Sequence, residues 1–339
     1  MRFVIANREK SIDAYRFIAF MCVILVHIYP PDIVMQVTYF NVPAMVFVSG
    51  LCSAKSYDCG YWNFVWHRIK RILIPMYIFI LPGYLLPLLI AQYFDIIRAG
   101  LNIGNILGSF FFWKSGMGYI WIFKVFILLA IVTPVIIRLN NKIKSNVFFV
   151  GIVVMSIVVQ HILIYITDYL PITTFAYDIM TIYILYIIGY APFLMIGIRM
   201  NTWWRNIKPL KLIIFTIILM IVGLCFYIIF VGLPIDLSGY KYPPSSYYYV
   251  YGGAVSLLLW QCKKLLHMIS KINLLVFIGQ NTNWFYLWHI PVVTMLNIVF
   301  PNYVLFKFIA LIAITTTILY IQHHVIAKAD ISIIKYFKG

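Results

Sequence analysis

Long runs of apolar residues recur along the whole chain and constrain its fold more than any other sequence feature. The run from Leu210 to Gly232 carries one charged residue, Lys211. A helix crosses the hydrocarbon core of a bilayer with about 20 such residues. Ten windows of this kind lie at residues 13–31, 37–57, 72–94, 117–137, 146–165, 176–198, 210–232, 246–266, 275–299 and 303–326. The sequence therefore predicts an all-α, polytopic membrane helix bundle with about ten transmembrane helices.

The composition excludes a soluble domain. Charged residues make up 10% of the chain, whereas soluble domains carry roughly a quarter. The first apolar stretch contains Asp13 and Arg16 and lacks a small-residue cleavage site, so we expect no cleavable signal peptide. The connections between windows are short. We therefore expect a single transmembrane domain over residues 1–339, placed as a multi-pass protein in the cell (inner or plasma) membrane.

The net charge of +17 is explained by the orientation of the chain in the membrane and does not indicate a nucleic-acid partner. With the amino terminus in the cytoplasm, twenty lysines and arginines fall on the cytoplasmic side, whereas the outer loops receive three, Arg98, Lys114 and Lys241. This asymmetry follows the positive-inside rule and predicts that both termini are cytoplasmic. The lipid bilayer is the expected partner of the basic side chains, and no nucleic acid is expected.

The cysteines do not form a metal-binding pattern. None of Cys22, Cys52, Cys59, Cys225 and Cys262 belongs to a CxxC pair. Four of them fall within or at the ends of apolar windows, where cysteine acts as a small buried residue. We expect neither a metal site nor a disulfide framework.

Two ionisable residues, Arg16 and His27, lie on the first helix. Eleven residues place them about 20° apart around the helix and ~16 Å apart along its axis. One face thus carries a permanent cation near the cytoplasmic surface and a titratable base beyond mid-depth, where histidine can accept and return a proton. An anchoring arginine and a hydrogen-bonded core histidine would give the same pattern.

A second basic pair, Arg68 and Arg71, precedes the third apolar window. Their i, i+3 spacing places both guanidinium groups on one helix face, which suits a phosphate or pyrophosphate. Cytoplasmic positive charge explains the pair equally. His289 lies deep in the ninth window, where packing or the backbone freed by Pro291 would also account for it. His161 has no evident partner and is interpreted as a core residue.

Two outer features remain open. Tyr247, Tyr248 and Tyr249 fit an interfacial aromatic belt or a surface that stacks on sugar rings. The apolar stretch from Ile106 to Trp113 is too short to span the membrane, so it lies at the interface or re-enters.

Together these residues resemble the acyltransferase-3 family of integral-membrane O-acyltransferases, many of which acetylate bacterial surface polysaccharides. The resemblance in topology extends over the full length of the chain. It also rests on motifs that occur in the same order as in the family. These are Arg16 with His27 (Arg-x10-His), Asn41 to Gly50 (similar to VPLFFxxSG), Arg68 with Arg71 (Arg-x-x-Arg), Pro75 with Tyr77, Tyr119 to Trp121, and Tyr286 to Pro291 (similar to YLxHxP). Some members carry acidic residues where this chain has Lys124. We expect no fused SGNH-type domain.

The resemblance implies a cytoplasmic acyl-CoA donor, most simply acetyl-CoA, and no tightly bound cofactor. Arg68, Arg71 and Arg16 would bind the donor, and His27 would act as general base. Ser49, Asn41 and Tyr286 are candidate donors to the oxyanion, and His289 would bind acceptor or assist proton transfer. Asp13 is expected to pair with Arg16.

The implied acceptor is a surface glycan or a lipid-linked sugar. The main alternative function is a transporter or flippase of a lipid-linked sugar, for which inverted repeats are expected but not evident. A polysaccharide polymerase would usually carry a larger outer loop.

Overall fold

A computed structural model describes residues 9–56, 60–90, 103–113, 116–169, 173–204, 207–230, 232, 237–245 and 247–327, and no β-strand occurs in these ranges. The helices are α1 (Lys10–His27), α2 (Asp32–Thr38), α3 (Asn41–Ser56), α4 (Tyr61–Ile90), α5 (Ile103–Phe111), α6 (Trp121–Lys142), α7 (Asn146–Tyr169), α8 (Thr174–Ile179), α9 (Leu185–Asn201), α10 (Pro209–Phe230), α11 (Tyr247–Gln261), α12 (Lys263–Ser270), α13 (Asn273–Gln280), α14 (Thr282–Val299) and α15 (Val304–Ala327). Short 3-10 turns form at Gly118–Ile120 and Ser238–Tyr240, and a π-helical turn, Met180–Ile184, joins α8 to α9.

Within the described residues, six helical stretches are long and apolar enough to cross a membrane. They are Asp32–Ala54, Gly118–Lys142, Asn146–Tyr169, Thr174–Asn201, Pro209–Ile229 and Val304–Val325. The helical membrane bundle is therefore confirmed. The count of ten spans and the cytoplasmic location of both termini stay predictions. The window at 13–31 forms α1, whose Lys10, Asp13 and Arg16 make it less apolar than these six.

The helices α7 and α10 face lipid. Only 11% of the most apolar segment of α7 is buried inside the protein, and 18% of that of α10. Continuous apolar surface of this kind is stable against lipid rather than water. His161 is exposed on α7, so its interpretation as a core residue was wrong. Its Nδ1 lies 2.8 Å from the carbonyl oxygen of Ile157, so the ring is satisfied within its own helix.

The helices α3 and α9 form the closest packed pair at the centre of the bundle. Gly50 of α3 faces Gly197 of α9, and a Cβ added to Gly50 would lie 3.1 Å from the Cα of Gly197. A Cβ added to Gly197 would collide with the carbonyl oxygen of Phe47. Small residues allow two helix backbones to approach closely in membranes. The glycine pair therefore sets the spacing on which α1 and α11, both packed on α3, depend.

Several helices differ from the predicted windows. The helix α4 begins at Tyr61, about three turns before its apolar window, and Lys70 covers the ring of Trp66 there at 4.6 Å. The window at 246–266 contains α11 and α12, which separate at Cys262, and the window at 275–299 contains α13 and α14.

The tyrosine cluster at the start of α11 is buried. Tyr247, Tyr248 and Tyr249 are all shielded, and the ring of Tyr249 stacks on Phe193 of α9 with centroids 5.7 Å apart. Both readings of this cluster, as an interfacial belt and as a sugar-stacking surface, were wrong because α9 and α10 cover the rings. The stretch at 106–113 does form a short helix, α5, held to α4 by a 2.7 Å hydrogen bond between Ser109 and Tyr84.

A buried arginine stabilises the turn between α6 and α7. Arg199 of α9 is fully buried, and its guanidinium donates to the carbonyl oxygen of Ile143 at 2.7 Å and to Oδ1 of Asn146 at 2.6 Å. A cation that donates to carbonyl oxygens beyond a helix carboxyl terminus satisfies groups without an intrahelical partner. This contact fixes α6 and α7 against α9.

Candidate active site

The end of α1 places His27 at the mouth of a cavity. Pro30 and Pro31 follow, and because proline cannot continue a helix, α1 ends at His27. The carbonyl oxygen of His27 accepts a 2.9 Å hydrogen bond from Nδ2 of Asn297 on α14. Asn297 in turn accepts at Oδ1 a 2.9 Å hydrogen bond from the buried Lys307 of α15. The backbone at His27 is therefore held from two other helices.

His27 and His289 form a hydrogen-bonded pair. Nδ1 of His27 lies 2.9 Å from Nε2 of His289, and the rings are inclined by 15°. Nδ1 of His289 lies in hydrogen-bond contact with the backbone carbonyl of Tyr286. A carbonyl oxygen only accepts, so this contact requires the proton on Nδ1 of His289. When both rings are neutral, His27 then donates through Nδ1, and its Nε2 carries the free lone pair.

Two tyrosines enclose the histidine pair. The ring of Tyr119 meets His27 edge to face, with centroids 5.1 Å apart. Tyr286 lies 6.0 Å from His27, and its hydroxyl donates to the carbonyl oxygen of Tyr119 at 2.8 Å. His289 is fully buried, whereas His27 is half-buried. Of the two histidines, only His27 lines the adjoining cavity.

The accessible side of His27 lines a cavity of about 370 Å³. Tyr29, Tyr119, Lys241 and Tyr242 are also in its wall. A cavity of this size accommodates a small substrate, with aromatic surface for its apolar faces and few polar groups for orientation. The His27 side chain therefore lines a cavity large enough for a small ligand.

Arg16 lies at the other end of α1, in a polar cluster with Asp13. Its Nη1 is 3.1 Å from Oδ1 of Asp13, so the predicted i, i+3 ion pair is confirmed. Nη2 donates to Sγ of Cys52 at 2.9 Å, and Gln280 donates to the second oxygen of Asp13 at 3.1 Å. These contacts hold the Arg16 guanidinium between α1, α3 and α13.

Arg68 and Arg71 lie next to this cluster. Nη2 of Arg68 donates to Oγ of Ser53 at 3.2 Å, which ties α4 to α3. Arg68 is close enough to Arg16 and Arg71 for the three charges to interact. The structure therefore brings together the three arginines that the sequence nominates for donor binding, with Arg71 exposed at the edge.

Asn41 and Ser49 stand apart from the histidine pair. Oδ1 of Asn41 accepts from the backbone N–H of Val42 at 2.6 Å, and its Nδ2 donates to the carbonyl oxygen of Cys22 at 3.4 Å. Neither residue lines the cavity at His27. The contacts of Asn41 connect α3 to α1, and the hydroxyl of Tyr286 is already engaged.

The order of these elements agrees with a family model described as "Acyltransferase domain" (Acyl_transf_3), which matches residues 9–323. The chain belongs to the acyltransferase-3 family. It is a membrane acyltransferase. No curated protein and no solved structure matches the chain at a significant level.

The cavity at His27 in this acyltransferase is also lined by a lysine that the sequence does not single out. Lys241 is 4% exposed, and its ammonium lies 4.9 Å from the ring centroids of both Tyr39 and Tyr242. It is close enough to His27 for their charges to interact. Burial lowers the pKa of Lys241 to about 8. The sequence shows only a loop cation, and no local pattern places this loop over the end of α1.

Proposed function

We propose that this acyltransferase transfers an acetyl group from cytoplasmic acetyl-CoA to a hydroxyl group of a cell-surface polysaccharide or of its lipid-linked precursor. The reaction takes place in the cell membrane, with His27 as general base. The observation that carries this proposal is the chain from the Tyr286 carbonyl through His289 to His27, which leaves Nε2 of His27 basic beside a cavity.

The arginine cluster supports an anionic donor. Arg68 and Arg71 present forked cations beside Arg16, and guanidinium groups bind phosphates through two parallel hydrogen bonds. Arg68 and Arg71 are the groups that we assign to the nucleotide phosphates, beside the Asp13–Arg16 ion pair. The pantetheine arm would cover the ~16 Å of helix α1 between Arg16 and His27.

The acyl transfer then requires one group that accepts a proton and later returns it. Nε2 of His27 takes the proton of the acceptor hydroxyl as its oxygen attacks the thioester carbonyl carbon. The tetrahedral intermediate collapses, the carbon–sulfur bond breaks, and the CoA sulfur receives the proton back from His27. The products are the acetyl ester and CoA with a free thiol. While His27 is protonated, its Nδ1–H bond to the neutral His289 becomes charge-assisted.

The oxyanion needs a hydrogen-bond donor in the same cavity. Tyr119 lines this cavity with its ring against His27, whereas the hydroxyl of Tyr286 is committed to a carbonyl. We therefore assign the oxyanion contact to the Tyr119 hydroxyl. A hydrogen-bond donor already positioned at the oxyanion contributes strongly to transition-state stabilisation.

The test is the amount of alkali-labile acetate on purified surface glycan. Cells carrying the wild type, a deletion, and His27→Ala present at equal membrane level would be compared. Loss of acetyl groups in both altered strains, with glycan still at the surface, is the expected result. Unchanged acetylation with glycan missing from the surface would instead identify a carrier of lipid-linked sugar.

A further inference from the structure

A second, larger cavity adjoins the cavity at His27. Its volume is about 590 Å³, and Gly118, Trp121 and Tyr242 belong to the walls of both. At this boundary the rings of Trp121 and Tyr242 meet edge to face, with centroids 4.5 Å apart. The two cavities are neighbouring halves of one cleft, and His27 lies in the smaller half.

Each half of this cleft contains a buried lysine. Lys241 lies in the smaller half, and Lys124, which is 8% exposed, lies in the larger half with its ammonium 4.7 Å from the ring centroid of Tyr186. Within the described residues neither ammonium lies within ion-pair distance of a carboxylate, although Asp168 also lines the larger half. Contacts with aromatic rings offset only part of the cost of removing an ammonium from water. An anion bound in the cleft would give both ammonium groups an ion-pair partner.

The wall of the larger half suits a sugar. Trp113, Trp121, Tyr177 and Tyr186 line it, and aromatic faces pack against the apolar faces of pyranose rings. Thr181 of the π-helical turn Met180–Ile184 also belongs to this wall. Such turns recur at functional sites, because they shift side chains out of regular helical register.

We propose that this cleft binds an anionic saccharide, whose carboxylate or phosphate groups contact Lys241 and Lys124 while its rings pack on the aromatic wall. This rests on the proposed function, since it defines the acceptor as a negatively charged glycan. The unit in the smaller half presents its hydroxyl to His27, and a neighbouring unit occupies the larger half.

The experiment measures saccharide binding without catalysis. The full chain in nanodiscs of zwitterionic lipid is titrated calorimetrically with a glucuronate-containing tetrasaccharide, its carboxyl-reduced neutral form, and a phosphate-bearing tetrasaccharide. The wild type should bind one anionic probe at least about tenfold more tightly than the neutral one, which corresponds to ~1.4 kcal/mol. Which anionic probe is preferred distinguishes carboxylate from phosphate.

The variants locate the charge contacts. Lys241→Gln and Lys124→Gln should each reduce the preference, and Lys241→Arg should retain it. Lys263→Gln is the matched control, because Lys263 also lies over an aromatic ring, that of Trp260, but lines neither half of the cleft. Equal wild-type affinity for charged and neutral probes, no measurable binding of either anionic probe, or an undiminished preference in the double lysine variant would overturn the proposal. The wild-type comparison decides the question even if a variant fails to fold.

His27→Ala separates this inference from the proposed function. The charge preference should persist in this variant, since binding needs no base. If His27→Ala loses acetyl transfer and no charge preference is seen, the proposed function is supported. The proposal of an anionic acceptor is then contradicted.

Discussion

Nδ1 of His27 lies 2.9 Å from Nε2 of His289, although 262 positions separate the two residues in the chain. The contact between Nδ1 of His289 and the Tyr286 carbonyl determines which nitrogen carries the proton in each of the two neutral rings. We therefore propose that His289 is a positioning residue that holds His27 in one tautomer. It does not face the cavity at His27.

The first prediction concerns this positioning. His289→Phe removes the acceptor for the Nδ1–H of His27, so kcat should fall by at least about tenfold, whereas His27→Ala should cost about 10²–10⁴-fold. Acetyl transfer by purified protein in nanodiscs measures both. Since the two rings act as a unit, the double variant should be no slower than His27→Ala alone.

Thr294→Val is the control on the same helix, because its exposed side chain bonds only to the carbonyl oxygen of Ile290 in α14. Additive losses in the double variant would contradict a positioning role. So would a change for His289→Phe confined to the KM of acetyl-CoA.

The second prediction concerns donor binding. Arg68→Gln should raise the KM for acetyl-CoA by about 10–100-fold, as expected for loss of one charged hydrogen bond, and leave kcat within a few-fold. With S-acetylpantetheine, which lacks the nucleotide phosphates, the variant and wild type should have the same KM. Arg138→Gln, an exposed change on α6, should alter neither value. An equal effect on both donors would show that Arg68 serves the fold and not the phosphates.

The third prediction concerns helix spacing. Gly197→Ala should lower the free energy of unfolding by about 1–3 kcal/mol, because the new methyl group collides with the Phe47 carbonyl of α3. Gly151→Ala on the exposed face of α7 meets nothing within 4 Å and should be neutral or slightly stabilising. Denaturant titration in detergent measures both. Equal stability of the two variants would mean that the α3–α9 spacing adjusts freely.

The fourth prediction concerns pH and rests on the anionic acceptor. Burial lowers the pKa of Lys241 to about 8, so Lys241 loses its positive charge as pH rises through that value. Among the described residues, His27, Tyr39 and Tyr242 are titratable groups close to the ammonium, and the Tyr190 hydroxyl donates to the backbone carbonyl of Lys241. Affinity for the anionic saccharide should therefore fall between about pH 7 and about pH 9.5. Calorimetric titration across this range measures it.

Lys241→Arg is the matched variant, because a guanidinium keeps its charge across that pH range. Its affinity should decline less steeply than that of the wild type, because Lys124 is then the titratable ammonium left in the cleft. An equally steep decline in both proteins would assign the titration to another group, with Lys124 the first candidate.

The sequence predicted those parts of the site that depend on a single helix. The eleven-residue spacing of Arg16 and His27 and the i, i+3 pairs follow from helix geometry alone, and the Asp13–Arg16 ion pair formed as expected. The family was also evident from motifs carried by a few helices. The helical membrane bundle followed from the apolar windows.

The remainder depends on contacts between distant segments. The sequence offered His289 as a candidate but gave no reason to place its ring against His27. Lys241 was visible only as an outer-loop charge, because its burial depends on how the loop folds over α1. The tyrosines at 247–249 and His161 were misjudged for a related reason. Hydropathy does not tell which face of a membrane helix meets lipid and which meets another helix.

Arg16 and His27 lie on one uninterrupted helix, so α1 sets the distance between them. The Arg16 end, next to the proposed donor-binding residues Arg68 and Arg71, and the proposed reacting end at His27 are kept apart by a distance that helix rise sets. One residue inserted between them would turn His27 by about 100° away from its groove, and seven residues would restore the face but add ~10 Å. Under the proposed mechanism, the number of residues between Arg16 and His27 determines the length of the acyl carrier that the enzyme accepts.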